Sequence, residues 1–409
     1  MLKAGALYFS IVIAFFIAVI SASLIMLAAH YRNSYLKEIR FNRLQNNLNS
    51  GVKYVLAEDG NYGLKGLDLF GKDADSLIIE RKQWGFYDLA VIKAFILQDT
   101  LKKVMLIGVR PDSTVLYLSD EDRPLSLSGN TKITGNAELP KAGLKKSYAE
   151  GKPYANAQLI YGGNTSFSSR SLKPINQTLL KAIKDKLDLS SKELPMLERS
   201  ELKVSFLDST QSFRLLQKAN LNNVNLNGNI MLFADSSVTI SASSTLNGIQ
   251  LFAPFIKVED GFKGSCQLFA TDSIRIGNQV NLHYPSVAAV IRTEKSGSLP
   301  KIALGENVNF EGILFTHEEK RSPLQTIISL GKQNHIKGEV FSTGMVKLEK
   351  GVVVDGKIAC NRFIMQTPTT LYENFLIDVN FNNKARSRYY LSARLFNTNN
   401  ENKVLKWLD

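Results

Sequence analysis

The chain has 409 residues, enough for two or three domains, and its 44% hydrophobic and 21% charged residues are typical of a folded protein rather than a disordered one. Fifty Lys and Arg against 37 Asp and Glu give a formal net charge of +13, which suits anionic lipid, acidic polysaccharide or nucleic acid as a partner. The basic residues are spread along the whole chain without a nucleic-acid-binding signature, so we do not expect nucleic acid. Cys266 and Cys360 have neither CxxC spacing nor a neighbouring His, which argues against a zinc site.

An uncharged apolar segment runs from Ala4 to Ala29. It exceeds the ~20 residues that a helix needs to cross a bilayer. A cleaved signal peptide, with Ser21 and Ser23 before the cut, is the alternative. The apolar run continues through Leu24–Leu27, beyond that cut, so we predict a retained anchor.

An amphipathic stem follows the anchor. Apolar residues at Phe41, Leu44, Leu48, Val52 and Val55 are spaced by three and four, which predicts one stripe on a continuous helix. Asp59-Gly60 predicts its end. Strands are expected next at Ser76–Glu80, Gly85–Ile92 and Lys103–Val109, and the apolar stretch Val91–Leu97 fits either helix or strand.

This N-terminal layout resembles the type IV pilins and pseudopilins. The short basic leader Lys3-Ala4-Gly5-Ala6-Leu7 stands before a long apolar helix, whose amphipathic half is followed by strands. The resemblance implies processing after Gly5, with Ala6 as the first mature residue, and packing of the helix on an antiparallel sheet. The family usually carries Glu at the fifth mature position, and here that residue is Ser10, as in some minor pilins.

Two arguments about membrane orientation oppose each other. More basic residues follow the apolar segment than precede it, which by the positive-inside rule places the bulk of the chain in the cytoplasm. The pilin resemblance implies a periplasmic or extracellular C-terminal domain. We expect a single-pass membrane protein whose orientation is open between the two, with the second favoured.

A repeat anchored on glycine occupies the second half of the chain. Each copy opens apolar-x-apolar, passes a polar turn and continues apolar-x-Gly, as in Ile328–Glu339 and Val346–Lys357. Short strands of this kind bury alternate side chains only when several copies stack, and glycine suits a corner with positive φ. We predict a mainly β chain with a right-handed parallel β-helix (solenoid), preceded by a transmembrane helix with an amphipathic stem and a small α+β region. An antiparallel sandwich is the competing interpretation. The predicted corners are Gly228, Gly248, Gly264, Gly312, Gly338 and Gly356, and Tyr284 takes this place in one copy.

Interruptions of the repeat are read as insertions at corners. Two lie at Ser286–Pro300 and Thr316–Thr326, and an early copy at Leu125–Asn136 is followed by a long excursion with a predicted helix at Pro174–Leu189. The rungs resemble those of bactofilins over about residues 221 to 365, although the insertions and the large N-terminal region make bactofilin-like filaments doubtful. The predicted domains are the anchor 1–29, stem 30–58, pilin-like α+β region 59–122, first rung 123–143, insertion 144–200, β-helix 201–385 and C-terminal tail 386–409.

No motif points to catalysis, a cofactor or a metal. His317-Glu318-Glu319 are consecutive on a predicted loop, and Asp260 and Asp355 precede repeat corners, where they serve turns. Asp235 and Asp272 each follow a Phe-Ala pair, which is typical of a repeat feature. The best place for a missed site is the cleft beneath the two insertions, where Arg292, His317, Glu318 and Arg321 would converge on an acidic sugar.

Three hypotheses of different classes follow. The favoured one is a membrane-anchored structural or assembly protein, minor-pilin-like, in a secretion or pilus system. The second is a carbohydrate-binding or polysaccharide-degrading β-helix protein, and the third is a cytoplasmic bactofilin-like scaffold. The expected partners are the lipid bilayer, proteins of an envelope assembly and anionic polysaccharide.

Overall fold

The structure is a computed structural model that describes residues 2–60, 62–69, 75–189, 191–292, 299–320, 323–367, 370–396 and 401–408. It is mainly β, with one long N-terminal helix. The chain forms two compact units. We call Met1–Lys82 with Ala90–Val104 the stem unit, and Gln83–Leu89 with Met105–Asp409 the ladder unit.

The stem unit combines helix α1 with antiparallel strands. The predicted continuity of anchor and stem is confirmed, because α1 is one helix of 56 residues, Leu2–Ala57, and Gly60 (φ +93°) follows its end. The predicted strands are also present, except that Gly85 and Phe86 form a turn before the third begins at Tyr87, and the ambiguous stretch Val91–Leu97 is strand as far as Ile96. No helix lies between 62 and 109 in the described part of the chain, so the predicted α+β region owes its helix to α1 alone. The strands are β1 Tyr62–Leu67, β2 Asp75–Trp84, β3 Tyr87–Ile96 and β4 Asp99–Val109, and the last three continue into the ladder unit.

The buried stripe of α1 differs from the predicted one in two positions. Leu44, Leu48 and Val55 are buried as expected, whereas Phe41 is 49% exposed. Gly51 takes the place expected for Val52, and a Cβ at Gly51 would lie 3.0 Å from Ile92 Cγ2. The helix therefore approaches β3 closely at a residue without a side chain, and the stripe follows a period near 3.6 residues.

The ladder unit holds the remaining elements. Its helix α2 spans Gln177–Leu187, close to the prediction, and Asn176 caps it by accepting from the backbone N–H of Thr178 and Leu179. Its strands up to the repeat region are β5 Thr114–Leu118, β6 Leu125–Ser128, β7 Lys132–Thr134, β8 Asn136–Leu139, β9 Leu144–Lys146, β10 Tyr148–Ala149, β11 Lys152–Pro153, β12 Thr165–Phe167, β13 Glu201–Val204, β14 Gln211–Arg214, β15 Ala219–Leu221, β16 Asn225–Gly228 and β17 Ile230–Phe233. The others are β18 Ser237–Ile240, β19 Thr245–Val258, β20 Lys263–Ile276, β21 Asn281–Ile291, β22 Lys301–Leu304, β23 Asn309–His317, β24 Ile327–Leu330, β25 His335–Leu348, β26 Val353–Gln366, β27 Leu371–Glu373, β28 Phe375–Ile377, β29 Asn380–Asn382 and β30 Asn402–Trp407.

Most of these strands join one parallel sheet that closes on itself. Strand β19 pairs with β20 and β25 with β26 over most of their length, each in parallel. The glycines lie in register as their alignment predicts, with Gly312 beside Gly338 and Gly338 beside Gly356. Parallel pairing excludes the antiparallel sandwich for this region.

Chain order and ladder order differ at the N-terminal end of the repeats. The early copy pairs through β7 with β29 and through β6 with β28, so it lies beside the last repeats rather than before β13. Strand β5 also belongs here, because Leu116 pairs with Ile358 of β26. The ladder thus begins in sequence at Thr114 rather than near residue 123, and its N-terminal strands cover the end formed by β26.

One repeat deviates from the predicted alignment. Asn281 pairs with Asn309, but the residue beside Gly312 is Ser286 and not Tyr284. The register shifts between Leu282 and Ser286. The corner position is therefore filled by a small polar residue two positions after the predicted one.

Side chains inside the ladder form one apolar core, including both cysteines. Burial raises the pKa of the Cys266 thiol to about 12 and raises that of Cys360 as well, so both remain neutral thiols. Outward-facing phenylalanines form a second apolar layer. Phe233 stacks on Phe252 with a centroid distance of 5.0 Å, and Phe252 on Phe269 at 4.9 Å.

Candidate functional site

The first feature with functional consequence is the exposed apolar half of α1. Among residues 5–39 of the helix, all are solvent-exposed except Val12, which is half-buried. The most apolar window has a mean hydropathy of 2.9 with none of it buried, and α1 is the one helix in the described ranges that is long and apolar enough to cross a membrane. An apolar surface of this length must be covered by lipid or by other apolar helices.

The predicted processing residues lie at the start of this segment. Gly5 has open space around it, and Ala6 is exposed. Ser10, which replaces the glutamate of the pilin pattern, donates its hydroxyl hydrogen bond to Ala6 O at 3.0 Å. Ser23 donates to Val19 O at 2.8 Å in the same way. Because both hydroxyls donate to carbonyl oxygens of their own helix, little free energy is lost when they are placed in an apolar environment.

The C-terminal end of α1 is held by Arg81, a residue that no sequence pattern singled out. Arg81 of β2 is 2% exposed, and it donates from Nη1 to Val55 O at 3.1 Å and to Glu58 O. The last carbonyls of a helix lack a partner within it, and a cation suits the negative end of the helix dipole. About four turns earlier in α1, Arg40 Nε and Asp99 Oδ2 lie 2.8 Å apart on the surface of the stem unit.

Five of the six glycines predicted at corners have positive φ, and the space around them differs. Gly312 and Gly338 have φ of +142° and +144°, and a Cβ at either would lie 1.9 Å and 2.0 Å from the carbonyl oxygen of the preceding rung. Gly264 is the exception, because its φ is not in the positive region and its restriction is contact with Phe262 and Leu246 O. Gly228, Gly248 and Gly356 also have positive φ.

The turn between β2 and β3 is held against the ladder by a glutamine. Within the ladder unit, Phe86 N–H donates to Gln267 Oε1 at 2.9 Å, and Gln267 Nε2 donates to Trp84 O at 3.1 Å. The Phe86 ring lies 5.5 Å from that of Phe269 and 5.1 Å from that of Phe315. In register, the residue between these two phenylalanines is Ala289, whose small side chain leaves the space for Phe86.

A buried polar cluster lies where Tyr390 and Leu391, near the C-terminus, contact the ladder. Tyr284 and Tyr390 have ring centroids 5.3 Å apart, and burial raises the pKa of both hydroxyls and that of Tyr87. Glu339 is fully enclosed nearby, and burial raises the pKa of its carboxyl against the opposing effect of Lys357 and Arg386. Tyr390 donates to Gly312 O at 3.4 Å and Tyr284 to Leu391 O at 2.9 Å. The cluster therefore joins the C-terminal segment to the corners of the ladder.

The predicted C-terminal tail is thus part of the fold. Ser392 pairs with Val109. Strand β30 pairs antiparallel with β4, and the first pair of this register is Asn402 with Val109. Phe396 contacts Phe341 with ring centroids 5.5 Å apart. Residues 390–396 and 402–407 are structural members of the ladder unit rather than an extension from it.

The cleft predicted beneath the two insertions contains no convergent site among the described residues. Arg292 Nη1 lies 3.5 Å from Glu318 Oε2, and Glu318 is almost fully buried. His317 stacks on Phe315, facing away from Glu318 along the strand, and burial together with Lys184 lowers its pKa to about 4. Arg321 lies outside the described residues. The lowered pKa means that the His317 imidazole is neutral at pH 7.

The four candidate carboxylates lie in three different places. Asp260 accepts from Asn278 N at 2.8 Å in a turn, and Asp355 lies 2.6 Å from His335 Nε2. Asp235, which accepts from Ser191 at 2.9 Å, and Asp272 line a groove of about 360 Å³ beside α2. No group of three or more His, Cys, Asp or Glu in the described part of the chain has the arrangement of a metal site.

Comparisons with known proteins give little further information. No protein-family model and no curated protein matches the chain. One solved structure similar to it is the competence-associated pilin ComZ from Thermus thermophilus, with 10% sequence identity over 86% of each chain and a TM-score of 0.26. An overlap at that score is too low for ComZ to decide the fold or the function of this chain.

Proposed function

We propose that the chain is a single-pass membrane-anchored, minor-pilin-like subunit that carries a right-handed parallel β-helix in the aqueous phase and works by assembly and surface interaction, not by catalysis. The observation that carries this proposal is the division of α1. Its first half is apolar and exposed, whereas Leu44, Leu48, Gly51 and Val55 of its second half pack in the stem unit, which contains antiparallel strands.

This division fits a helix with two environments. The exposed half needs lipid before assembly, and it offers the same apolar surface to neighbouring helices when subunits assemble. The Lys3-Ala4-Gly5-Ala6 leader supports processing after Gly5, and the serine in place of the family's glutamate supports a minor subunit. Strand β26 at the C-terminal end of the repeats is already paired with β5 and β29, which supports a display domain over a bactofilin-like filament that grows through this end.

Membrane extraction and mass spectrometry test the proposal together. Carbonate washing should leave the full-length chain in the membrane fraction, and its release would refute the anchor. In cells that have a prepilin-type peptidase, the intact mass should correspond to a chain that begins at Ala6. Gly5→Leu should prevent this shortening, whereas the control Gly63→Ala, which has open space around its Cα, should not.

Orientation needs its own measurement. We propose that the ladder unit faces the periplasm or the exterior. Protease added to intact cells or spheroplasts should therefore cleave the ladder unit without lysis. Protection until lysis would instead support the cytoplasmic scaffold that the positive-inside count favours.

A further inference from the structure

One outward face of the ladder carries basic residues and no acidic ones. We call it the basic face: the outward side chains of β18, β22 and β24 and of segments 255–258, 273–276 and 345–348. The sequences of these six segments are SVTI, FIKV, SIRI, KIAL, IISL and MVKL, in which the second and fourth residues are buried. Their outward residues include Lys257, Arg275, Lys301 and Lys347 and no Asp or Glu.

The cations of the basic face follow the direction in which the rungs stack. Lys257 pairs in register with Arg275, and Lys301 follows in the next rung beside Ser273. Adjacent strands lie about 4.8 Å apart, so three consecutive rungs present a row of positive charge. Lys347 extends the row two rungs further.

The cations of the basic face have no carboxylate partner within the described part of the chain. Lys257, Arg275 and Lys301 form no ion pair with any carboxylate of the described chain, and Lys347 donates to the neutral Gln366 Oε1 at 2.7 Å. Like charges directly opposite each other destabilise a sheet. The Lys257–Arg275 pair therefore costs stability that an external anion would recover.

Another face of the same ladder is built differently. There Lys337 lies 2.9 Å from Glu311, and His335 lies 2.6 Å from Asp355. Cross-rung charges on that face are paired, which is the ordinary arrangement on a sheet surface. The absence of carboxylates from the basic face is thus a local property and not a consequence of the net charge.

We propose that the basic face binds a linear anionic polysaccharide, laid along the stacking direction of the rungs. A polymer of uronic acids has one carboxylate on each sugar ring, a repeat comparable to the spacing of neighbouring rungs. Phe255, 42% exposed on the same face as Lys257, offers an aromatic surface to the apolar side of a sugar ring. Single-stranded nucleic acid is disfavoured because it requires a series of stacking aromatics, and Phe255 is the only aromatic residue in the six segments. This inference rests on the proposed function of surface interaction and names its partner.

Binding to defined polymers tests the inference on the full chain in non-ionic detergent. Polygalacturonate is the probe, dextran the neutral control and single-stranded DNA the competing polyanion, each measured by biolayer interferometry. Polygalacturonate should bind, with affinity that falls as salt is added, and dextran should not. The double variant Lys257→Gln with Arg275→Gln should weaken binding roughly tenfold.

A matched variant separates this face from general positive charge. Lys141→Gln with Lys145→Gln removes the same charge from two exposed lysines elsewhere on the ladder unit and should change the affinity less than about twofold. Equal weakening by both double variants, or no binding of polygalacturonate, would overturn the inference. Tighter binding of DNA that depends on Lys257 and Arg275 would assign the face to nucleic acid instead. These outcomes do not depend on carbonate extraction, so the anchor and the basic face fail separately.

Discussion

Replacing Gly338 by alanine tests the arrangement of the ladder at a single atom. The residue has φ +144°, and an added Cβ would lie 2.0 Å from Gly312 O and 2.9 Å from the Tyr390 hydroxyl. The backbone conformation alone costs a side-chain-bearing residue about 1–3 kcal/mol. The overlap with a carbonyl adds to this, because no rotation of alanine relieves it and the two rungs must separate at a cost of about 1–3 kcal/mol.

The sum is about 4 kcal/mol, which corresponds to a fall of roughly 10 °C in the melting temperature for a domain of this size class. Thermal unfolding of the full chain in detergent, followed by circular dichroism, measures it. Gly261→Ala is the matched control, since Gly261 has φ +76° but no atom within 4 Å of its added Cβ. It should lose only the conformational part, about 1–2 kcal/mol. Equal shifts in the two variants, or an unchanged melt of Gly338→Ala, would refute the close stacking of rungs at this corner.

Three further perturbations have outcomes that the structure fixes in sign. Gln267→Leu removes both amide hydrogen bonds to the β2–β3 turn and should lower the free energy of unfolding by about 2 kcal/mol. Its control, Gln250→Leu, replaces a buried amide without a hydrogen-bond partner in the described chain and should be neutral or stabilising. Urea unfolding compares the two variants, and a larger loss for Gln250→Leu would contradict the role given to Gln267. The pKa of His317 is lowered from 6.5 to about 4, so the unfolded chain binds the proton more readily than the folded chain. The free energy of unfolding should therefore fall as the pH drops from 6.5 towards 4. Thermal melts across this pH range measure the effect, and the same acid sensitivity in His317→Phe would count against it. Arg81→Met should remove the hydrogen-bond donor of the Val55 carbonyl at the end of α1 and speed amide hydrogen exchange near Val55. The control Lys53→Met changes an exposed residue of the same helix and should leave the exchange rate unchanged. Equal exchange rates in both variants would argue against the capping role of Arg81.

The sequence predicts local structure well here because its signals are local. The apolar length of α1 and the Asp59-Gly60 stop are read within one element, and both are present. Five of the six repeat glycines mark a position with positive φ, which is a backbone requirement of that residue itself. Alignment of the repeat unit puts Tyr284 at a corner, and the register shift before Ser286 is invisible without the partner strand.

Long-range contacts account for what the sequence could not predict. Gln267 resembles any outward polar residue of a repeat, and only the position of Trp84 and Phe86 gives its amide a role. Ala289 reads as a weak strand residue, although its small size makes room for the Phe86 ring. The basic face requires knowing which segments pair, because its four cations are separated by up to 90 residues in the chain, from Lys257 to Lys347.

The position of the early repeat copy changes what counts as the domain. A fragment that begins where the repeats begin, at Glu201, would lack β5, which pairs with Ile358–Cys360 of β26, and β7, which pairs with β29. Its C-terminal rungs would then present unpaired strand edges above an apolar core, the condition under which sheets associate edge to edge. Strand β5 follows β4 directly in the chain and pairs with β26, and β30 pairs with β4. At the opposite end of the ladder, β13 and β15 pair with β16 and β18 alone among the described strands, so the added segments protect the β26 end and not both ends.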